Sequence, residues 1–487
     1  MPTPSLNDKI IFGLKIKSLR QEKSLLLTDL SKHTGISVSY LNEIEKAKKY
    51  PRPEKINTLA KALNVSAAYL ISDELPPKYA PVTDLLQSNF LQELPLELFG
   101  IDLAKIVEMV ANAPSKVGAF ISTLVDLSRL YGQQAEHFYL SAMRAYQEMY
   151  NNFFPELEQL ADSFLIEHNF KTEIKTLKSV LETEFHYTII PDGLNKYPEL
   201  TEFRSLFIPA SNTLLLNSAL SESQLRYLYA KEIGFNYLKI TERPLTNKLL
   251  KISNFELVIN NFNANYFATA ILIPGTEFKK DLSIFINKEK WDPSLFIQWI
   301  DKYHVSPEIL FQRFNLLPVY LGLDKIFFLR VIKDIKKNRF EIDKELHLSH
   351  RHDPQANKLS ENYCRRWLSV AILTDWSNND TFKVDIQRSH YHGTKNEYIV
   401  ISIAKKAPYN DNLLVSVTAG LYLDELSKSK IKFLNDPAIS VTEVNVTCER
   451  CAIMDCLVRA APPKVLIEKE HRRVINQAID RIVKSEK

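Results

Sequence analysis

Apolar residues recur at intervals of three and four through the early part of the chain and in alternation through much of its last third. The pattern predicts helices first and strands later. In the first seventy residues Leu30, Ile36, Leu41, Ile44, Leu59 and Leu63 give short helices one apolar face each, around the break Gly35-Ile36-Ser37. This predicts a compact all-α bundle with a helix-turn-helix at its centre, over 1–73. Ser37 is placed to cap the second helix of the pair. An acidic pair and three prolines in residues 72–83 mark a linker. From 84 to 168 the spacing is helical almost throughout, as in IDLAKIVEMV, VGAFISTLVDLSRL and HFYLSAMRAYQEMYNNFF. Such helices suit either a dimer interface or an intrachain bundle.

Residues 169–305 read as an α+β domain. A helix ends near Thr183, and Tyr187 to Ile190 is a strand. Ser205–Pro209 and Thr213–Asn217 form strands about Ala210-Ser211-Asn212. Ser221 caps a helix to about Leu238, the apolar run near Tyr266 to Ile273 reads as a buried strand, and a helix covers Pro293 to Tyr303. Residues 306–487 form a strand-rich α+β domain. It opens on the helix VSPEILFQRFNLL and the apolar segment KIFFLRVI, and continues through FKVDIQ, EYIVISIAKKA and NLLVSVTAGL. An amphipathic helix from Val465 to Lys484 closes the chain, with Val474, Ile475, Ala478, Ile479 and Ile482 on one side.

Charge sharpens the reading of the first segment. Residues 1–71 hold twelve Lys or Arg against six Asp or Glu, whereas the whole 487-residue chain is only +4. Positive charge is concentrated where a phosphate backbone needs it, and weak global basicity argues against indiscriminate DNA coating. On the recognition helix Val38, Ser39, Asn42 and Glu43 are the base-contact candidates, and Tyr40 completes the DNA-facing set. Lys46, Lys48, Lys49 and Arg52 follow as phosphate candidates.

The remaining composition mostly excludes. No segment approaches the roughly 20 apolar residues a membrane span needs, and no secretory pattern opens the chain. Four cysteines in so long a chain are no extracellular disulfide framework, and a cytoplasmic location is expected. With 11 glycines there is no Walker A, no dinucleotide fingerprint and no GxSxG elbow.

Cys448, Cys451 and Cys456 lie within nine residues, and Cys364 opens the strand-rich domain. Two or three thiolates with one remote ligand suit zinc or an iron–sulfur cluster. Arg450 and Arg459 are expected to favour the thiolates. Reduced structural cysteines and a disulfide switch are the alternatives. His350, His352, His390 and His392 read as solvated loop residues. On the helix around Glu232, a metallopeptidase would need histidines at 231 and 235. Lys231 and Phe235 stand there, so no zinc-dependent cleavage is expected.

The first seventy residues resemble the XRE, or Cro/C1-type, helix-turn-helix family through Leu30-Ser31, Gly35-Ile36-Ser37, Tyr40-Leu41, Ile44-Glu45 and Pro51. Two positions depart: Leu26 stands where a Ser or Thr cap is usual, at a cost of about 1 kcal/mol, and Leu27 replaces a phosphate-gripping Gln. The remainder resembles the long bacterial XRE regulators of short-chain fatty-acid, propionate and acetate metabolism. In these an ImmA/IrrE-like metallopeptidase domain, here degenerate at Lys231 to Phe235, precedes a C-terminal sensor domain. Cys364-Arg365-Arg366-Trp367, Cys448, Cys451, Asp455-Cys456 and Arg459 through Pro463 carry that likeness.

The resemblance implies a non-enzymatic, sequence-specific regulator that binds double-stranded DNA as a homodimer and responds to an acyl-coenzyme A ester. It also implies a [4Fe–4S] cluster or zinc on Cys364, Cys448, Cys451 and Cys456. Arg313, Arg330, Arg339, Arg365 and Arg366 are the candidates to meet the effector's phosphates. The competing readings are a redox or metal sensor without an organic effector, a partner-binding repressor, and a repressor linked to a zinc-dependent peptidase.

Overall fold

The computed structural model describes residues 6–72, 135–169, 171–246, 252, 254–347, 361–377, 380–407 and 410–485. The expected linker after residue 72, the helical segment up to residue 134, and His350 and His352 lie outside these. The chain divides into two compact units, Met1–Tyr146 with Lys251–Val258, and Gln147–Leu250 with Ile259–Lys487.

The first unit opens on α1 (Leu6–Glu22), α2 (Leu27–Thr34), α3 (Val38–Glu45), α4 (Pro53–Leu63) and α5 (Ala67–Ile71). All six residues expected in this core are buried, joined by Phe12, Ile16, Ile56 and Leu70. Local chemistry sets the breaks. Gly35 ends α2 with φ +67°, a left-handed conformation that glycine takes without steric cost. Ser37 Oγ accepts from Tyr40 N at 3.3 Å and starts α3. At the N-terminus of α2 no side chain caps the helix at Leu26; Asp29 instead accepts from Leu26 N at 3.0 Å. Gly13 lets α1 lie against the end of α3, since a Cβ there would stand 2.4 Å from Ile44 O. Arg20 bridges the same helices through Glu45, at 2.6 and 2.9 Å. Helix α6 (Ala135–Met149) ends across the boundary between the units.

The second unit begins with α7 (Pro155–Glu167) and α8 (Ile174–Thr183). Ala161, Phe164 and Leu165 of α7 enter its core, so this end of the expected dimerisation segment packs within the chain. Strands β1 (Thr188–Ile190), β2 (Ser205–Ile208) and β3 (Thr213–Leu216) form a small sheet in the order β1-β3-β2, with β1 parallel to β3. Helix α9 (Glu222–Tyr237) starts on a capping box between Ser221 and Gln224. The expected strand at Tyr266–Ile273 is instead the end of an 18-residue helix, α10 (Phe255–Leu272). Phe267, Ala268, Ile271 and Leu272 are buried on several sides of it, and burial all round hides the helical period. Helices α11 (Gly275–Asn287), α12 (Ser294–Tyr303), α13 (Pro307–Gln312) and α14 (Leu317–Leu321) complete this layer.

Next come β4 (Ile326–Asp334), β5 (Arg339–His347), α15 (Leu368–Thr374), β6 (Lys383–Tyr391), β7 (Glu397–Ala407), β8 (Asn410–Tyr422), α16 (Glu425–Lys430), β9 (Ser440–Val444) and α17 (Lys464–Ser485). The strands form one six-stranded sheet, ordered β5-β4-β8-β7-β6-β9, in which only β9 pairs in parallel. Alternation divides its side chains. Ile326, Ile399, Ile401, Ile403, Val415, Val417 and Ala419 join the core of α7–α14. Phe327, Leu329, Val331, Tyr398 and Val400 join a second core with α15 and the segment Tyr363–Leu368. The two domains expected at 169–305 and 306–487 therefore share one continuous core. Gly420 permits the crossing of Phe327 over β8, because a Cβ would lie 2.2 Å from that ring.

One buried ion pair ties the helices together. Arg313, 1% exposed, donates to both oxygens of Glu158 on α7 and to Ile273 O at 2.8 Å. Tyr266 OH donates to the same carboxylate at 2.7 Å. Replacing Arg313 by Met strands this carboxylate and is expected to cost about 3–5 kcal/mol. Urea unfolding followed by tryptophan fluorescence reads this unit, since Trp291, Trp299, Trp367 and Trp376 all lie in it. The double variant with Glu158→Gln is expected to regain most of the loss.

Candidate functional site

Three places assemble the chemistry. The first is the outer side of α3. Val38 and Ser39 are exposed, Tyr40, Asn42 and Glu43 are half-buried, and Lys46, Lys48, Lys49 and Arg52 are exposed just beyond. Ala47, with φ +56°, turns the chain, and Glu43 O accepts from Lys48 N at 2.9 Å and Lys49 N at 3.2 Å. The lysines are thus held next to the end of the recognition helix. Lys55, not expected from the sequence, lies over the Tyr40 ring at 4.0 Å and adds a cation to this face.

The second is a cation-rich cluster in the second unit. Arg330 opposes Lys344 across β4 and β5, and a register shift after Arg330 pairs Val331 with Ile342. Asp343 is the additional residue of this bulge. Arg330 therefore reaches Asp343 at 2.8 Å as well as Glu308 of α13 at 3.0 Å. Lys405 lies 3.8 Å from Glu308, which also accepts from Ser306 Oγ at 3.1 Å. Burial pushes the Glu308 carboxyl up, but Lys405, Arg330, Lys344 and Arg204 together hold it down to about 2. Lys344 is exposed along its length, yet burial of its amine lowers the pKa, and Arg330 adds to this.

Helix α9 carries another cation. Lys231, 7% exposed, donates to Asn261 Oδ1 at 2.7 Å, and Tyr227 one turn earlier donates to Asn265 Oδ1 at 2.8 Å. Burial pushes the Lys231 amine down to about 8; Glu232 opposes this, while Arg243, Lys344 and Arg204 add to it. Farther along the same sheet face the lining is all carbon. Ile326, Ile399, Ile401, Ala419, Leu421 and Phe433 are among the walls of a small apolar cavity of about 30 Å³, which none of these cations lines.

Glu232, next to Lys231 on α9, has partners of its own. It accepts from Tyr187 OH at 3.0 Å and from Arg243 at 2.5 Å. The Arg243 guanidinium lies 3.9 Å from the Phe235 ring and 4.2 Å from that of Phe207. A guanidinium thus satisfies this buried carboxylate. Burial, with Glu232 close by, pushes the Tyr187 hydroxyl up to about 12.

The third place is the cysteine segment. Tyr363 bridges Thr447, Cys364 N donates to Val446 O and Cys448 N donates to Asn362 O, so Cys364 is brought to the Cys448 loop. Cys364, Cys448 and Cys451 are buried, and Cys456 is half-buried. Backbone amides approach the sulfurs, Asn445 N to Cys364 at 3.5 Å and Ala460 N to Cys448 at 3.3 Å. Burial nevertheless raises the Cys364 thiol, with amides of Asn445 and Arg366 opposing. Arg450 is paired with Glu361 at 2.7 Å, and Arg459 binds the carbonyls of Cys448 and Ile453 at 2.8 and 2.6 Å. Arg365 feels the charge of the thiols; it stacks 4.2 Å over Phe340, and its buried Nη1 has no hydrogen-bond partner among the described residues. Thiols beside an unmatched cationic donor suit an anionic thiolate centre. However, among the described residues no three His, Cys, Asp or Glu side chains are placed to hold a metal ion.

The five arginines proposed for an effector are dispersed. Arg330 is in the cluster, and Arg339 is exposed near the β4–β5 turn. Arg313 has its donors occupied by Glu158 and Ile273. Arg365 and Arg366 lie by the cysteines, with Arg366 donating to Glu443 O at 3.3 Å. Lys231, Lys344 and Lys405 escaped the sequence reading because their convergence requires α9, β5 and β7 to meet.

Residues 16–70 match the Helix-turn-helix family, and the first unit carries a helix-turn-helix DNA-binding domain. Over 307 residues the chain is 22% identical to the HTH-type transcriptional regulator PrpR of Mycobacterium tuberculosis (strain ATCC 25618 / H37Rv). The match takes in 58% of this chain and 59% of that protein, less than two thirds of the relative's length. A solved structure of a Mycobacterium tuberculosis transcriptional regulator aligns with a TM-score of 0.46 and 19% identity, over 66% of this chain and 92% of that one. Among the described residues no helix is long and apolar enough to cross a membrane.

Glu308 links the charges of the cluster to stability. Its carboxyl falls from an ordinary 4.5 to about 2 on folding. The associated stabilisation, about 3 kcal/mol, is present above pH 4.5 and lost as pH falls through 2. Glu308→Gln is expected to remove it at neutral pH and to flatten the acid limb in that window. Denaturation midpoints measured across the window check this.

Proposed function

We propose that this chain is a sequence-specific transcriptional regulator that binds DNA as a homodimer and is controlled by a short-chain acyl-coenzyme A ester. The observation that carries the effector reading is the cluster of cations on one face of the large sheet. Lys231, Arg330, Lys344, Lys405 and Arg204 act there together with Glu308, Asp343 and Glu232, and a small carbon-lined cavity lies farther along the same sheet face. Cations suit the phosphates of coenzyme A, and the apolar space suits an unbranched acyl group. The resemblance to regulators of propionate and fatty-acid metabolism favours this ligand over other organic anions. Of the five candidate arginines Arg330 is the best placed for this, with Lys344 across the strand pair and Lys405 at the same Glu308.

On DNA, Val38, Ser39, Tyr40, Asn42 and Glu43 read bases, and Lys46, Lys48, Lys49 and Arg52 hold phosphates. A homodimer sets two such helices one turn, or a multiple of about 34–36 Å, apart on a palindrome. The α9 region is a degenerate metallopeptidase-like scaffold, in which Arg243 neutralises Glu232. A zinc-dependent peptidase is disfavoured by Lys231 and Phe235, and zinc-dependent peptide cleavage lost in Glu232→Gln would reverse this.

A second reading is favoured by the juxtaposition of Cys364 with Cys448 and by the unmatched Arg365 Nη1. In it, Cys364, Cys448, Cys451 and Cys456 hold a [4Fe–4S] cluster or zinc. Such a centre would pin the last strands and supply redox or metal sensitivity. Metal analysis and visible spectra of anaerobically purified protein test it, and absence of both iron and zinc removes it.

Lys48→Ala is expected to weaken binding to every DNA sequence and to reduce the magnitude of the salt slope by about 1. Unchanged affinity and slope, with a monomer in light scattering, would overturn the DNA-binding dimer. Acetyl-, propionyl- and butyryl-coenzyme A are each expected to give binding heat and to shift DNA affinity. Lys344→Glu is expected to weaken that binding about tenfold, or about 1.4 kcal/mol. No heat and no shift with any ester would leave the cysteine-centred sensor ahead.

A further inference from the structure

Helix α17 stands apart from the packing of its unit. Its start is held: Pro463 is buried, Val465 and Leu466 are half-buried, and the helix meets the turn Cys448–Arg450. From Ile467 to Ile482 every residue is exposed except the half-buried Ala478. Among the described residues none of α17 enters a hydrophobic core. Yet this exposed length is not polar all round. Ile467, Val474, Ile475, Ile479 and Ile482, between 45% and 61% exposed, fall with Ala478 on one face. β-branched residues are poor helix formers, so the stripe adds stability only when a partner covers it. The 22-residue helix is about 33 Å long. Two faces of that length, each ~10 Å wide, together reach roughly the 1,000 Å² that a specific interface needs.

We propose that α17 pairs with α17 of a second copy of this chain, the two helices running antiparallel. The inference rests on the homodimer reading above and gives that dimer a surface. The face is complementary to itself when reversed. Its middle line runs through Glu468, His471, Ile475, Ala478 and Ile482, at steps of three and four that are the a and d positions of a heptad repeat. In an antiparallel pair each a position lies opposite a d position. Ile475 then fills the space left by the partner's Ala478, and Ile482 covers the partner's His471. A parallel pair would set Ile475 on Ile475, leave a gap between two alanines and bring two Glu468 carboxylates together, which repel. Charge on the shoulder of the face agrees. Glu470, held by Arg473 of its own helix at 2.5 Å, lies on the same side of the stripe as Arg481. Reversal brings each of them within about one helical turn of its opposite on the other copy. The carboxylates of Glu468 and Glu470 beside the stripe fit a protein face better than an anionic lipid surface, which would repel them.

Sedimentation equilibrium and light scattering of the full chain test the pairing. The double variant Ile475→Glu with Ile479→Glu is expected to raise the dimer dissociation constant at least about a hundredfold. Its urea midpoint by tryptophan fluorescence is expected to match the wild type, because α17 enters no core among the described residues. Glu470→Arg and Arg481→Glu are each expected to raise the dissociation constant about fivefold. An equimolar mixture of these two single variants is expected to return close to the wild-type value, since a mixed pair has opposite charges at both ends. An unchanged dissociation constant in the isoleucine variant overturns the inference and leaves the homodimer reading standing. Charge variants that weaken the dimer without recovery in the mixture overturn the antiparallel pairing. A wild-type chain that stays monomeric at every concentration removes both the inference and the homodimer, and leaves the face to a different protein or a lipid surface.

Discussion

The two-residue alternation of the six-stranded sheet is the constraint on which the second unit depends. Each strand sends successive side chains to opposite faces, and both faces here are covered. One receives α7–α14 and carries the cation cluster. The other receives α15 and the Tyr363–Leu368 segment, and carries Cys364. A shift of one residue in β4 would exchange Arg330 for Val331 and move a guanidinium into the aromatic core. The bulge after Arg330 refines the arrangement, because it brings Asp343 and Lys344 to the same side of one arginine.

Charge is handled in two ways within this unit. Arg313 with Glu158 and Arg243 with Glu232 are matched pairs, buried with their hydrogen bonds complete or nearly so. Stranding one member of such a pair costs several kcal/mol. Around Glu308 and Lys231 several cations converge on few carboxylates. Depressed lysine pKa values and a strongly depressed Glu308 are the signature of that imbalance. A ligand that neutralises it can regulate DNA binding only by distinguishing DNA-competent from incompetent forms of the protein.

The helix-turn-helix domain follows a simpler logic. Its core is made by local contacts among short helices, and its charge lies on exposed lysines close to the recognition helix. Leu26 lacks a capping oxygen, and Asp29 supplies part of what is missing through the backbone amide. This compensation is local and costs the fold little.

By itself the sequence determined the elements whose signals are short-range. The spacing of Leu30, Ile36, Leu41 and Ile44 defined the bundle, Ser37 and Ser221 marked helix starts, and Ala210-Ser211-Asn212 marked a hairpin. The cluster of lysines after Glu45 made the DNA-binding domain legible. Tertiary structure alone decided the rest, because burial and convergence leave no period along the chain. Burial on several sides disguised α10 as a strand. Arg313, read in the sequence as a candidate for the effector's phosphates, became half of a core ion pair through Glu158, far away along the chain. Lys231, Lys344 and Lys405 became one site only when a helix and two strands met, since the field at a charge depends on distance through space.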